Sequence, residues 1–186
     1  NIDVSNLNMS KVQAAGAMFR YCHELTDVDL SKWRTSNLQY PSGMFTDCKG
    51  LTKLDVSSFD VECAGGAAQF MSGCTKLTEV NLSNWILSEK NSIRLDSSAN
   101  KLSVAYFFNK TTNLNKLIME NTDYFTADKI IGVLPNKTAN NMGTIILSME
   151  EELDDALRTK ASNKYWNIEY EQKPHEYVVA SYKFNA

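Results

Sequence analysis

Four cysteines and two histidines are the side chains in this sequence that could act as nucleophiles or as soft metal ligands. Cys22, Cys48 and Cys74 follow one another at a constant interval, and Cys63 stands apart from them. Zinc sites need cysteines in close pairs, which this spacing does not provide. Three thiols in one column cannot all pair with one another. The pattern therefore favours buried free thiols, with a disulfide and a metal site as the alternatives.

The two histidines, His23 and His175, lie in no recognisable catalytic motif. The sequence contains no G-x-S-x-G nucleophile turn, no H-E-x-x-H zinc motif and no glycine-rich phosphate loop. These are the patterns that position a nucleophile, a metal or a phosphate for chemistry. We therefore predict a protein that is not an enzyme and that needs no cofactor.

A column of carboxylates is the second feature that could bind a ligand. Asp3, Asp29, Asp55 and Asn81 keep the same interval as the cysteines, and a serine stands at the second position after each of them. Stacked carboxylates repel one another unless a donor or a cation lies beside them. Three interpretations remain open: a hydrogen-bonded Asp–Ser ladder, a binding face that uses the same groups, and a calcium site.

A second outward column has charges of alternating sign. It reads Asp27, Lys53, Glu79 and Lys116. Alternating charge is typical of a solvated surface, and it also makes a polar face available to a partner. Taken together, the two columns define a candidate binding face, which we expect on the concave side of the fold: Asp27, Asp29, Lys53, Asp55, Glu79, Asn81 and Lys116.

The elements that position these columns follow from the same period. Apolar residues recur as L-x-x-L-x-L-x-x-aromatic, for example Leu25, Val28, Leu30 and Trp33, and the inner pair alternates with polar residues as in a half-buried strand. The preceding "AMFRYC", "GMFTDC" and "QFMSGC" segments lack this alternation, and we predict a short helical or 3₁₀ turn there. One strand and one short helix per unit is the leucine-rich-repeat arrangement. The predicted fold class is α/β, a solenoid of about seven coils with a parallel sheet on its concave face.

We predict one repeat array over residues 1–171 and a tail or capping strand over residues 172–186. The 26-residue repeats continue to about residue 87 and are followed by a polar insertion over residues 88–106. Longer repeats then fill residues 107–171. Within them we predict a helix from an N-cap at Thr126 to Leu134, a strand over 143–148, a helix over 149–164 and a strand over 165–171.

Composition limits the function further. The 186 residues carry a net charge of −3, which provides no electrostatic footprint for nucleic acid. No apolar run approaches the roughly 20 residues of a membrane-spanning helix. The chain opens in the middle of a repeat, so we expect it to be a piece of a longer protein.

The units "MFRYCHELTDVDLS", "MFTDCKGLTKLDVS" and "FMSGCTKLTEVNLS" resemble the BspA-type leucine-rich repeats of bacterial surface proteins. The stretch "TADKIIGVLPNKTANNMGTIILSMEEELDDALRTKASNKYWNIEYE" is similar to the closing repeats of such proteins from relatives of gut Bacteroides. The resemblance covers about residues 2–171. It implies a cell-surface or secreted protein that binds other macromolecules, as an adhesin does toward host matrix proteins or other cells.

We therefore expect a binding module that engages a protein or glycan ligand through the repeat surface and the 88–106 insertion, without nucleic acid or a membrane span. The alternative is a structural spacer or stalk that presents another domain. A repeat array suits both functions, because its product is an extended surface.

The register of the repeat can be tested with one core substitution. Leu54→Asp would place an unpaired charge between two units, and we expect it to cost several kcal/mol and to unfold the array. Thermal unfolding followed by circular dichroism measures the effect. An unchanged melting temperature would show that Leu54 does not face the core.

Overall fold

The sheet and two helices define the architecture. The computed structural model describes residues 2–61, 67–87 and 104–174, and within them the chain is an α/β protein with one five-stranded sheet. Neighbouring strands are parallel and lie in chain order. The strands are β1 (Lys53–Asp55), β2 (Glu79–Asn81), β3 (Lys116–Met119), β4 (Gly143–Met149) and β5 (Trp166–Gln172); the helices are α1 (Tyr124–Gly132) and α2 (Asp155–Ser162). None of the helices in these residues is long and apolar enough to cross a membrane.

The register of the sheet follows the repeat. Lys53 of β1 lies beside Glu79 of β2, one repeat period later, and Glu79 lies beside Lys116 of β3 after a longer interval. The additional residues between β2 and β3 therefore leave the pairing intact. Leu54 and Val80 are buried while the residues on either side of them face outward, which confirms the predicted alternation.

Opposite the strands, the three segments predicted to form helical or 3₁₀ turns form bends instead, and a fourth bend contains Tyr106 and Lys110. Each bend contains two residues with positive φ, such as Ala17 (58°) and Tyr21 (63°) in the first unit. A left-handed residue cannot continue a right-handed helix, so the helical prediction was wrong here. Alternate backbone N–H groups donate to the next bend instead: the N–H of Phe19 donates to the carbonyl of Met44 at 2.9 Å.

The core lies between the sheet and these bends. Trp33, Phe59 and Trp85, which fill the aromatic position of the repeat, are at most 1% exposed and belong to the core. The rings of Trp33 and Phe59 stack with centroids 5.8 Å apart, and the Phe19 ring of the bend lies 6.1 Å from Trp33. The Trp33 indole N–H donates to the carbonyl of Val4 at 3.0 Å, so burial leaves this donor paired.

The two helices differ from the sequence predictions at their starts. Asp123, not Thr126, is the N-cap of α1, and its side chain accepts the N–H of Thr126. The Thr126 hydroxyl is buried and accepts the N–H of Leu87 at 2.8 Å. Helix α2 is shorter than the predicted 149–164, because Met149 still belongs to β4 and Asp154 is the N-cap.

The strands predicted over 143–148 and 165–171 are confirmed as β4 and β5, with each end shifted by at most one position. Most of the predicted insertion and the end of the predicted capping strand, residues 88–103 and 175–186, lie outside the described residues.

Close backbone approach between units makes Gly50 a sensitive position. A Cβ at Gly50 would lie 2.7 Å from the carbonyl oxygen of His23 and 2.8 Å from that of Leu25, both in the preceding unit. We expect Gly50→Ala to lower the free energy of unfolding by about 2 kcal/mol, as overpacking does.

Urea denaturation measures this effect, and Gly132→Ala is the matched control. A Cβ at Gly132 meets nothing within 4 Å at the end of α1, so this variant should gain about 0.5–1 kcal/mol from higher helix propensity. Equal effects of the two substitutions would contradict the close packing of units at Gly50.

Candidate functional site

The aspartate column forms a regular hydrogen-bonded corner in each unit. The side chain of each member accepts the backbone N–H of the serine that follows it at the second position, at 3.0 Å for Asp3, Asp29 and Asn81 and at 2.9 Å for Asp55. Of the three interpretations, the structure thus shows Asp–Ser hydrogen bonding, made within each unit through the backbone N–H of the serine. One bond also joins two units, since the amide of Asn81 donates to Oδ2 of Asp55 at 3.1 Å.

These hydrogen bonds favour the charged form of the carboxylates. The hydroxyl and the backbone N–H of Ser31 lower the pKa of Asp29, and the backbone N–H and hydroxyl of Ser5 lower the pKa of Asp3. Lys32 adds a smaller attraction to both carboxylates. Both aspartates are therefore ionised at neutral pH, and each remains exposed to solvent.

The charged column brings three side chains of neighbouring strands together. Glu79 lies between two lysines, and its Oε2 atom is 3.5 Å from Nζ of Lys53 and 3.4 Å from Nζ of Lys116. The side chain of Lys53 is 69% exposed and that of Lys116 is 40% exposed, so both ammonium groups remain accessible to solvent. An exposed ion-pair chain of this kind contributes little to stability.

The sheet extends both columns beyond the residues that the sequence identified. The charged column continues from Lys116 into Thr144 and Asn167, and the column of Asp55 and Asn81 continues into three residues of the later strands: Ile118, Ile146 and Glu169. Ile118 and Ile146 are half-buried apolar residues in this outward position. The alternation of inward and outward residues, applied to the predicted strand over 143–148, could have identified Thr144 and Ile146 as outward residues.

We call this surface the outward face, and define it by the residues of the two columns: Lys53, Asp55, Glu79, Asn81, Lys116, Ile118, Thr144, Ile146, Asn167 and Glu169. Asp27 and Asp29 lie before β1, where the described sheet begins, and Asp27 is exposed there like Asp29. The structure thus brings five of the seven predicted residues into one sheet surface and leaves these two in the irregular segment before it.

The cysteine column faces the core: Cys48 and Cys74 are buried, and Cys22 is partly buried. Cys22, Cys48 and Cys74 are free thiols, as predicted, and burial raises the pKa of Cys48 and of Cys74 to about 12. The Cys74 thiol donates to the carbonyl of Phe45 at 3.0 Å. Cys63 lies outside the described residues. Within the described ranges no group of three histidine, cysteine or acidic residues could hold a metal ion.

A comparison with protein families adds one finding. The model of the family described as "Mycoplasma protein of unknown function, DUF285" matches residues 1–116. The chain belongs to this family. No curated protein matches the chain, and no solved structure does. In this DUF285 chain the match covers β1 and β2 and ends at the first residue of β3, so the rest of β3 and all of β4 and β5 lie beyond the matched region.

The hydrogen bonds of the aspartate corners predict a pH dependence. Because the pKa of Asp29 is lowered on folding, its ionised form stabilises the protein above the unfolded pKa of about 3.9. This contribution is lost as the pH falls through the lower folded pKa. We expect Asp29→Asn to reduce stability at pH 7 and to have no effect at lower pH, once the carboxyl is protonated in both states.

Urea midpoints measured from neutral to acidic pH test this expectation, with Asp27→Asn as the control for the loss of one exposed charge. An Asp29→Asn variant more stable than the parent at pH 7 would instead show that repulsion along the carboxylate column outweighs the hydrogen bonds.

Proposed function

We propose that this chain is a non-enzymatic binding module, built as a leucine-rich-repeat solenoid of about seven coils of the BspA type. It would belong to a bacterial cell-surface or secreted protein and would engage a protein or glycan ligand through the outward face. The observation that carries the proposal is the bridging of Lys53 and Lys116 by Glu79 across three adjacent strands.

The bridge supports binding because it fixes charged side chains before a partner arrives. A long side chain that is already held in place loses less entropy on complex formation. Lys53 and Lys116 are held in this way on either side of β2 while their ammonium groups stay in contact with solvent. Since exposed ion pairs add little stability, the orientation of these charges is their main physical effect.

The composition of the outward face also supports recognition. Next to the ion pairs, Ile118 and Ile146 are neighbours in the register of β3 and β4 and are only partly buried. Hydrogen-bonding groups flank them, namely Asn81 on β2 and Glu169 on β5. A small apolar centre with a polar surround is the anatomy of protein interfaces.

The alternative function is that of a spacer that presents another domain. The neutralisation of Glu79 by two lysines favours it, because a surface whose charges satisfy each other attracts partners weakly. The two functions differ in one measurable property, which is saturable binding by the outward face.

Binding of the purified chain to arrays of extracellular matrix proteins and glycans separates them. We expect a saturable signal that is lost in the triple variant Lys53→Ala, Glu79→Ala, Lys116→Ala. The matched control is Glu24→Ala, Lys49→Ala, Lys76→Ala, which removes the same number of each charge from exposed positions outside the outward face. Circular dichroism verifies that all variants are folded.

The outcomes are distinct. Loss of binding in the first triple variant alone supports the binding module. Equal loss in both variants would mean that another surface, or net charge alone, carries the binding. The absence of a saturable signal from the folded parent chain across the arrays would favour the spacer.

A further inference from the structure

A small hollow opens on the sheet above β4, at the carboxyl ends of the last three strands. It has a volume of about 190 Å³, and we call it the β4 hollow. Its wall contains Ile146 and Ser148 of β4, Glu120 directly after β3, and Glu169 and Glu171 of β5. The volume is below the roughly 300–1,000 Å³ of pockets that enclose a whole small-molecule ligand, so the hollow suits a single side chain.

The carboxylates around the β4 hollow are only partly compensated. Glu171 forms an ion pair with Lys173 at 3.0 Å. Within the described residues, the carboxylates of Glu120 and Glu169 have neither an ion-pair partner nor a hydrogen-bond donor, and both residues are exposed. They differ in this from Glu79 on the same face, which lies between two lysines. The hollow therefore carries negative charge on both sides of β4, and such charge attracts a cationic group.

A buried hydroxyl also lines the β4 hollow. Ser148 is 2% exposed, and its oxygen accepts the backbone N–H of Asn121 at 2.9 Å. In the corner after β1, the equivalent hydroxyl of Ser57 donates to Asp55 at 2.6 Å. Ile146 occupies the position of Asp55 in β4 and has no acceptor, and no other group in the described part of the chain accepts the hydrogen of Ser148. The hydroxyl of Ser148 therefore offers a donor to a group that enters the hollow.

The remaining surface of the β4 hollow is apolar. Ile146 is half-buried on the outward side of the sheet, beside Ile118 in the register of β3 and β4. An arginine side chain matches this arrangement, because its aliphatic stem packs on apolar surface while its guanidinium donates to carboxylates. The backbone of the same arginine also brings a carbonyl, which is the acceptor that the hydroxyl of Ser148 lacks.

We propose that the β4 hollow is a binding site for one arginine side chain of a protein partner. This inference rests on the function proposed above, since it specifies a protein ligand for the outward face and names the residue that the ligand presents. A glycan would bring hydroxyl groups but no positive charge. The uncompensated carboxylates of Glu120 and Glu169 therefore favour the protein over the glycan.

Titration with a short peptide, followed in amide NMR spectra, tests the site directly. The probe is the capped tripeptide Ala-Arg-Ala, and its matched control has citrulline in place of arginine, which keeps the shape of the side chain without its charge. We expect saturable shifts of the amide signals of Ile146, Ser148 and Glu169 with the arginine peptide. The citrulline peptide should bind at least about tenfold more weakly, because the charge-assisted hydrogen bonds are lost.

Two pairs of substitutions assign the binding to the β4 hollow. Glu120→Gln with Glu169→Gln removes both unpaired carboxylates and should abolish the preference for arginine over citrulline. Glu24→Gln with Asp27→Asn removes the same charge from exposed positions ahead of β1 and should leave the preference unchanged. Equal binding of the two peptides by the parent chain, or a preference that survives in the Glu120→Gln, Glu169→Gln variant, would overturn the proposal.

Failure of this site and failure of the binding module give different results. A saturable signal on the matrix-protein and glycan arrays, from a chain that does not distinguish arginine from citrulline, would overturn the arginine site and retain the binding module. Arrays without a signal would count against the binding module alone, because the peptide titration measures the β4 hollow directly.

Discussion

The structure depends on one constraint: two sets of backbone hydrogen bonds, one between strands and one between bends, must keep the same register. On one side the strands pair residue by residue, and on the other side alternate residues of each bend pair with the next bend. A shift of either set of hydrogen bonds by one residue would turn the buried Leu54 or Val80 toward solvent. The constant length of the repeats meets this requirement, because it moves both sets of hydrogen bonds by one unit together.

The side chains between the sheet and the bends show how a narrow core is kept free of unpaired polar groups. Indole, thiol and hydroxyl donors, those of Trp85, Cys74 and Thr111, each bond a carbonyl of the preceding unit. Within the described residues no buried side-chain nitrogen or oxygen lacks a hydrogen-bond partner. Cys48 and Cys74 therefore each link two neighbouring units through a thiol hydrogen bond.

Much of this could be predicted from the sequence, because periodicity reports burial directly. The columns that contain Leu54 and Cys48 recur at a constant interval, and both residues lie in the core as predicted. The bends were not predicted, because a glycine marks only one of the two positive-φ positions in the second and third units, Gly43 and Gly73, and neither position in the first unit, Ala17 and Tyr21. The outward face was predicted only in part. Its pairs across β3, β4 and β5 depend on the spacing between strands, which the sequence changes after Asn81.

The change in spacing has a consequence for how such a chain can vary. Between the second and third strands the chain is longer than one repeat period. The N–H of Leu82 nevertheless donates to the carbonyl of Ile118, and the N–H of Gln69 donates to the carbonyl of Ala105, across the junction. The additional residues fall between Leu87 and Val104, after one strand and before the next bend. Both sets of backbone hydrogen bonds continue across this point in the same register. It is consequently a natural grafting position, where a foreign peptide or a reporter can be inserted while the register on either side is retained.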